Sequence, residues 1–214
     1  MTLPHSPIGR PKIILASASP RRRELVALLR LPFEVVPSHY QEPSSPTSPV
    51  SLPRFVVELA TAKAHEVAHR IEEGLVLGAD TEVSLEGDVG LPLGKPANPQ
   101  EATSMLHALS GRTHYVYTGL ALVPVVDGSP QEPLQEVVCT RVRFRELSDD
   151  MIAAYIATSE PFDKAGAYGA QGYAAPYIEA IDGDFFNVVG LPLCTLGHML
   201  ERLGVAWWRG TPQT

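Results

Sequence analysis

The chain has 214 residues, 44% hydrophobic and 19% charged, long enough to bury roughly 70% of the surface exposed when unfolded and too apolar for a disordered or collagen-like polymer. Seventeen Lys and Arg against 24 Asp and Glu leave a net charge of −7, a poor match for a general nucleic-acid coat. The longest apolar stretch, Gly119 to Val126, is interrupted by Pro124 and falls far short of the about 20 residues a membrane helix needs, so no membrane partner is expected.

Arg10 and Lys12 precede Ile13-Ile14-Leu15 in faint imitation of a signal peptide, but the apolar core is too short, and the chain reads as unprocessed and cytoplasmic. Residues 12–16 read as a short buried strand. Ser19-Pro20 then signals a helix start, and Pro32 predicts its end near Arg30. Phe33 to Val36 reads as a second strand. Five prolines, five serines and a threonine between Pro37 and Pro53 predict an extended loop that either decorates or covers something.

Helical spacing resumes from Phe55 to Ile71 and ends at Gly74, and Leu75 to Ala79 reads as a buried strand with Asp80 at its end. Asn98 with Glu101 three residues on predicts a capped helix to Leu109. Thr113–Val126 and Leu134–Leu147 read as a long hairpin, with Val138, Thr140, Val142 and Phe144 on one side. Ser148 caps a helix through Ala157. A Gly- and aromatic-rich stretch, 162–190, precedes a last helix with Leu193, Leu196, Leu200 and Leu203 on one stripe. Alternating strands and helices with a long hairpin predict a mixed-sheet α/β protein. Cys139 and Cys194, with no Cys-x-x-Cys and no His pair at zinc spacing, read as buried free thiols.

Several segments carry chemistry. In Ser17-Ala18-Ser19-Pro20-Arg21-Arg22-Arg23, hydroxyls, helix amides and guanidinium forks converge if the strand runs straight into the helix, which makes an anion site. The alternative is an exposed basic first turn, disfavoured because cations at a helix N-terminus cost about 0.3–1 kcal/mol each. Asp80 and Glu82, in Gly78-Ala79-Asp80-Thr81-Glu82, share a face if the strand continues past Thr81. Asp80 can hold a hard divalent cation, take a proton from water, or merely close a turn. Lys63, Lys95 and Lys164 stand in apolar or Gly/Pro settings; each alone reads as solvated, though Lys95 between Gly94 and Pro96 sits on a shaped loop. Gln171 offers a carboxamide suited to a base edge. Neither a P-loop nor a dinucleotide-binding glycine pattern is present.

In chain order, Ile14-Leu15-Ala16-Ser17-Ala18-Ser19-Pro20-Arg21-Arg22, Gly78-Ala79-Asp80-Thr81, Gly94-Lys95-Pro96, Leu109 to His114, Asp163-Lys164-Ala165-Gly166-Ala167-Tyr168 and Asn187 to Pro192 resemble the Maf family of nucleoside triphosphate pyrophosphatases over about Ile13 to Leu203. The resemblance implies a two-lobed α/β fold, a twisted mixed sheet flanked by helices as in the inosine triphosphate pyrophosphatases, with the active-site cleft between the lobes and often a homodimer. It divides the chain into an N-terminal extension (1–10), one catalytic unit (11–204) and a C-terminal tail (205–214). It implies cleavage of nucleoside triphosphates between the α and β phosphates with a divalent metal, Mg²⁺ or Mn²⁺. Asp80 would be the catalytic acid/base; Ser17, Arg21, Arg22, Lys63, Lys95 and Lys164 would bind substrate; Glu42 and Asp80 would hold metal. The family has Asp-Glu at the loop position where this chain has Gln41-Glu42.

Arg21, Thr81 and Gln171 match positions that set base preference, in a combination similar to the branch acting on dTTP and UTP, with clearance of non-standard pyrimidine nucleotides as an attendant role. The competing expectation is a nucleotide-binding regulator linked to septation that holds a triphosphate without turning it over.

Overall fold

The computed structural model describes residues 11–43 and 46–209. The expected N-terminal extension, 1–10, and the last five residues of the expected tail, 210–214, lie outside the described residues. The elements in order are β1 (Ile13–Leu15), α1 (Pro20–Ala27), β2 (Phe33–Val35), β3 (Val50–Ser51), α2 (Leu52–Ala68), β4 (Gly74–Ser84), β5 (Val89–Gly90), α3 (Pro99–Leu109), β6 (Thr113–Val126), β7 (Ser129–Pro130), β8 (Leu134–Phe144), α4 (Asp149–Ile156), β9 (Ile178–Asp182), α5 (Phe185–Val189) and α6 (Leu193–Arg202). No described helix is long and apolar enough to cross a membrane.

The main sheet runs β2-β1-β4-β6-β8-β9, with β7 hairpinned onto β6. β1 pairs in parallel with both β2 and β4, and the remaining neighbours are antiparallel. The class is therefore α/β with a mixed sheet, as the sequence predicts. Ile13, Ile14 and Leu15 are all buried because helices cover both faces of β1.

One face is closed by α2. Its Ala60, Ala64, Val67 and Ala68 pack on Ile14, Val76, Ala121 and Val123. Helix and sheet approach closely: a Cβ on Gly78 would overlap the Ala60 carbonyl oxygen, and one on Gly119 would overlap the Val56 carbonyl. The other face carries two cores. One joins α1 and α6 to β1, β4 and the far half of β6 through Leu25, Leu77, Leu122 and Leu200. The second joins α3, α4 and residues 165–177 to the hairpin through Leu106, Ile152, Tyr168 and Phe144.

Several boundaries differ from expectation. β4 does not stop at Asp80 but runs to Ser84, because β6 pairs with it without a break from Gly74↔Val125 to Ser84↔Tyr115 and so carries the polar Asp80-Thr81-Glu82 into the ladder. α1 ends at Ala27 rather than near Arg30, where the chain tightens into i→i−3 bonds and Arg30 turns to φ 54°. β8 ends at Phe144, short of Leu147. Both cysteines are exposed, not buried: Cys139 faces outward on β8, whose inward positions are Thr140, Val142 and Phe144, and Cys194 lies in the first turn of α6. Beyond α6, Val205 is buried and Trp207 packs over Gly197.

Candidate active site

The site arises where two neighbouring strands differ in length. β1 pairs with β4 only at Leu75–Leu77, whereas β4 continues seven residues further, to Ser84. From Ala79 onward that edge of β4 has no strand beside it, so groups arriving over both faces of the sheet meet there. The resulting cavity holds about 410 Å³, within the size of small-molecule sites. Ser17, Arg21 and Arg22 enter it from the start of α1, Lys63 from α2, and Thr81 from β4. The Pro/Ser-rich loop covers it with Ser38, Tyr40 and Glu42, and Lys95, Lys164 and Gln171 close the far wall. Asp80 lies just behind this lining. Arg23 is exposed and contributes nothing to the cavity.

Arg22 is the most heavily committed cation. Its Nε donates to the Gly190 carbonyl at 2.9 Å, Nη1 to the Ala79 carbonyl at 2.9 Å and to Ser17 Oγ at 3.3 Å, and Nη2 to Thr81 Oγ1 at 3.0 Å. Its guanidinium thus occupies the open edge of β4 and ties α1 to the end of α5. Burial lowers its pKa, with Asp80 opposing the shift, and arginine stays charged. Beneath it a polar seam separates the two cores. Thr81 Oγ1 pairs with Thr118 Oγ1 at 2.9 Å, Thr118 donates to the Asn187 carbonyl at 3.3 Å, and Asn187 Nδ2 donates to Thr140 Oγ1 at 3.0 Å.

On the α2 side, Lys63 Nζ lies 2.5 Å from Asp80 Oδ1 and 2.7 Å from Glu42 Oε1. One ammonium therefore joins a strand carboxylate to the loop. Glu66 helps to dock that loop by accepting from Ser38 Oγ and the His39 amide, both at 2.9 Å. Burial raises the Glu42 pKa, but the Lys63 ammonium outweighs it, with Lys95 and Arg22 assisting, and holds the carboxyl below its ordinary value. Asp80 Oδ2 is buried without a partner, as is Glu82 Oε2. Burial first, then the carboxylates of Asp80 and Glu42, push the Glu82 pKa up to about 8.

At the opposite wall Asp163 bridges two cations, Arg21 Nη1 at 3.2 Å and Lys164 Nζ at 2.6 Å. Burial raises the Asp163 pKa, but Lys164 and Arg21 together hold it below its ordinary value.

The sequence profile of the family described as Maf-like protein matches residues 12–203. The chain belongs to the Maf family. Two Maf relatives, both named dTTP/UTP pyrophosphatase, come from Moorella thermoacetica (52% identical, covering 92% of this chain and 97% of the relative) and Caldanaerobacter subterraneus subsp. tengcongensis (45% identical, covering 94% and 93%). The solved structure of the Staphylococcus aureus Ham1 protein superposes with a TM-score of 0.51 over 90% of this chain and 99% of that one; at 13% identity it speaks for the fold alone.

Reading residues one at a time misses Asp163, Thr118 and the role of Arg22 as a strut for this Maf chain. Asp163 stands beside Lys164 in a motif quoted for the resemblance and could have been found there. Thr118, in the middle of an apolar strand, gives no signal in sequence.

Proposed function

We propose that the chain hydrolyses dTTP and UTP between the α and β phosphates, releasing the nucleoside monophosphate and pyrophosphate. The names of its Maf relatives support the substrate. The observation that carries the reaction is the gathering of Arg21, Lys63, Lys95 and Lys164 around one cavity, with Asp80 held just behind the lining by Lys63. A bound triphosphate offers a further anion to these cations, of which Arg21, Lys63 and Lys164 already pair with Asp163, Asp80 and Glu42. Their charge then stabilises departing pyrophosphate, in a reaction that depends on positioning and charge more than on a covalent intermediate.

Water attacks the α phosphorus in line as the bond from that phosphorus to the bridging oxygen breaks. The water proton goes to Asp80, and the electron pair of the broken bond leaves with pyrophosphate. Lys63 holds Asp80 by Oδ1, and Oδ2, buried without a partner, is the oxygen left to take that proton or to hold a cation. The phosphates offer Lys63 a further anionic partner, so substrate binding loosens its grip on the carboxylate. Arg22, spent on carbonyl and hydroxyl oxygens, keeps the α1 end of the cavity against β4.

The donor set suits a hard divalent cation, Mg²⁺ or Mn²⁺. Magnesium is commonly held by one or two carboxylates plus substrate phosphates, and Asp80 and Glu42 would supply the carboxylates. The buried, unpartnered Oδ2 of Asp80 supports that fit, and among the described residues no larger His, Cys, Asp and Glu cage exists. When bound, such an ion neutralises phosphoryl charge and polarises water.

Gln171 reads the base. Thymine and uracil present an O4 acceptor beside an N3–H donor, which one carboxamide pairs with twice, whereas cytosine presents the reverse. Thr81, its hydroxyl already engaged by Arg22 and Thr118, acts on base preference through the shape of the wall, and Arg21 through the mouth it shares with Asp163. The same reading places the enzyme in the cytoplasm, where free nucleotides are, and as a homodimer, which light scattering on the purified protein measures.

The test is a product-resolved panel with Mg²⁺ or Mn²⁺ and each nucleotide in turn. Monophosphate and pyrophosphate should appear fastest from dTTP and UTP. Unchanged nucleotide would favour the regulator, and orthophosphate would mean cleavage at the γ position.

A further inference from the structure

Glu160 lies outside the cation wall, yet three groups converge on it. Its Oε1 accepts from the Tyr155 hydroxyl at 3.0 Å, its Oε2 accepts from the Tyr173 amide at 2.9 Å, and its own carbonyl accepts from Lys164 Nζ at 2.7 Å. Tyr155 Oη in turn accepts from the Gly169 amide at 3.2 Å. The segment from Gly169 to Tyr173 is therefore gripped at both ends by one carboxylate and its tyrosine, and Gln171 is its midpoint. The Tyr155 hydroxyl stays a donor, because burial and the neighbouring Glu160 raise its pKa well above the ordinary value.

Two glycines make the grip possible. Neither Gly169 nor Gly172 has a positive φ, so backbone freedom does not require glycine at either position. Space does. A Cβ on Gly172 would overlap both Glu160 carboxylate oxygens and Cδ, and one on Gly169 would lie 2.7 Å from Lys164 Cε and 3.1 Å from Glu160 Oε1. The same contacts run on to the phosphate end of the cavity, since Lys164 pairs with Asp163 and Asp163 with Arg21.

We propose that Glu160, seated against Gly172 and locked by Tyr155, is the positioning residue that fixes the backbone carrying Gln171 and so sets pyrimidine selectivity. This rests on the reading of Gln171 given above. A carboxamide pairs with a base edge only where its backbone brings it within hydrogen-bond reach, and a shift of that backbone loses both bonds at once. The clamp limits such a shift through backbone contacts on either side of Gln171.

The experiment compares kcat/KM for dTTP and dCTP, inhibition by pyrophosphate and Tm in the full chain for wild type, Q171A, G172A, E160A, E160Q and the G172A/E160A pair. G172A should narrow the dTTP-to-dCTP ratio by about tenfold, as displacement of a specificity group does. Pyrophosphate inhibition should stay near wild type. E160A should narrow the ratio too, while E160Q, which keeps the shape and an acceptor oxygen, should recover much of it. The pair should be no worse than E160A alone, because the group that the new methyl strikes has gone. If the Gly172 and Glu160 variants lower Tm but leave the ratio intact, or the pair is fully additive, the clamp is refuted. Should G172A fail to fold, the E160A and E160Q ratios alone decide. Q171A separates the two ideas: a ratio that survives Q171A overturns the base-reading role itself, whereas a ratio lost in Q171A and kept in E160A overturns only the clamp.

Discussion

Lys63 touches two carboxylates from different parts of the chain, Asp80 on the sheet and Glu42 on the loop, and this pairing sets what single substitutions there should do. Asp80→Asn keeps an oxygen for Lys63 but cannot take a proton. Turnover should fall by about 10²–10⁴-fold, the usual worth of general-base assistance, with nucleotide affinity largely kept. Steady-state kinetics alongside a direct binding titration checks both halves, and wild-type turnover would remove Asp80 from the chemistry. Glu82 makes a separate prediction about stability. Its folded pKa of about 8 lies above the ordinary carboxyl value, so the native state keeps a proton that the unfolded chain has released. Stability therefore declines as pH rises from about 5 towards 8 and the loss is complete above that. Glu82→Gln removes the effect, so the Tm advantage of the variant should widen across that window and then level off. A constant difference would mean that Glu82 is ionised in the folded protein throughout.

At the scale of elements, the decisive feature is that β4 outruns β1, and half of it was legible in the sequence. Ser19-Pro20 after a run of aliphatics marks the strand-to-helix turn because a serine oxygen and a proline are what a helix start needs, and α1 begins there. The extent of β4 was not legible, since Asp80-Thr81-Glu82 reads as a polar stop and only the register with β6 carries the ladder through it. β9 and α5, five residues each, are too short to show a period and are held by contacts such as Asp184 Oδ1 accepting from the Phe186 amide at 2.7 Å. Helix α2 brings Lys63 to the site by lying almost against the strands at Gly78 and Gly119. Gly78→Ala puts a methyl into the Ala60 carbonyl and 2.8 Å from Ala64 Cβ, which should cost about 1–3 kcal/mol of stability as overpacking does, and shift Lys63 outward. Thermal unfolding should show a lower Tm together with a fall in kcat/KM. A lower Tm with unchanged kinetics would dissociate the α2 position from catalysis.

Across the whole molecule, the candidate residues come from both faces of the sheet and from segments far apart in the chain, such as Ser17 and Gln171, yet they border one cavity or, like Asp80, lie just behind it. Composition and periodicity could not have assembled them; the order of the motifs could, because a family resemblance carries tertiary information that a single segment lacks. What stayed hidden were the groups whose work is to hold others: Arg22 spanning α1, β4 and α5, Thr118 and Asn187 in the seam between the cores, and Glu160 behind Gln171. Their contacts are made across the fold and leave no local pattern. The central claim is that this cavity directs water onto the α phosphorus. Hydrolysis of dTTP in ¹⁸O-enriched water, with both products analysed by mass spectrometry, tests it directly: the label should enter dTMP and be absent from pyrophosphate, and label in the pyrophosphate would contradict it.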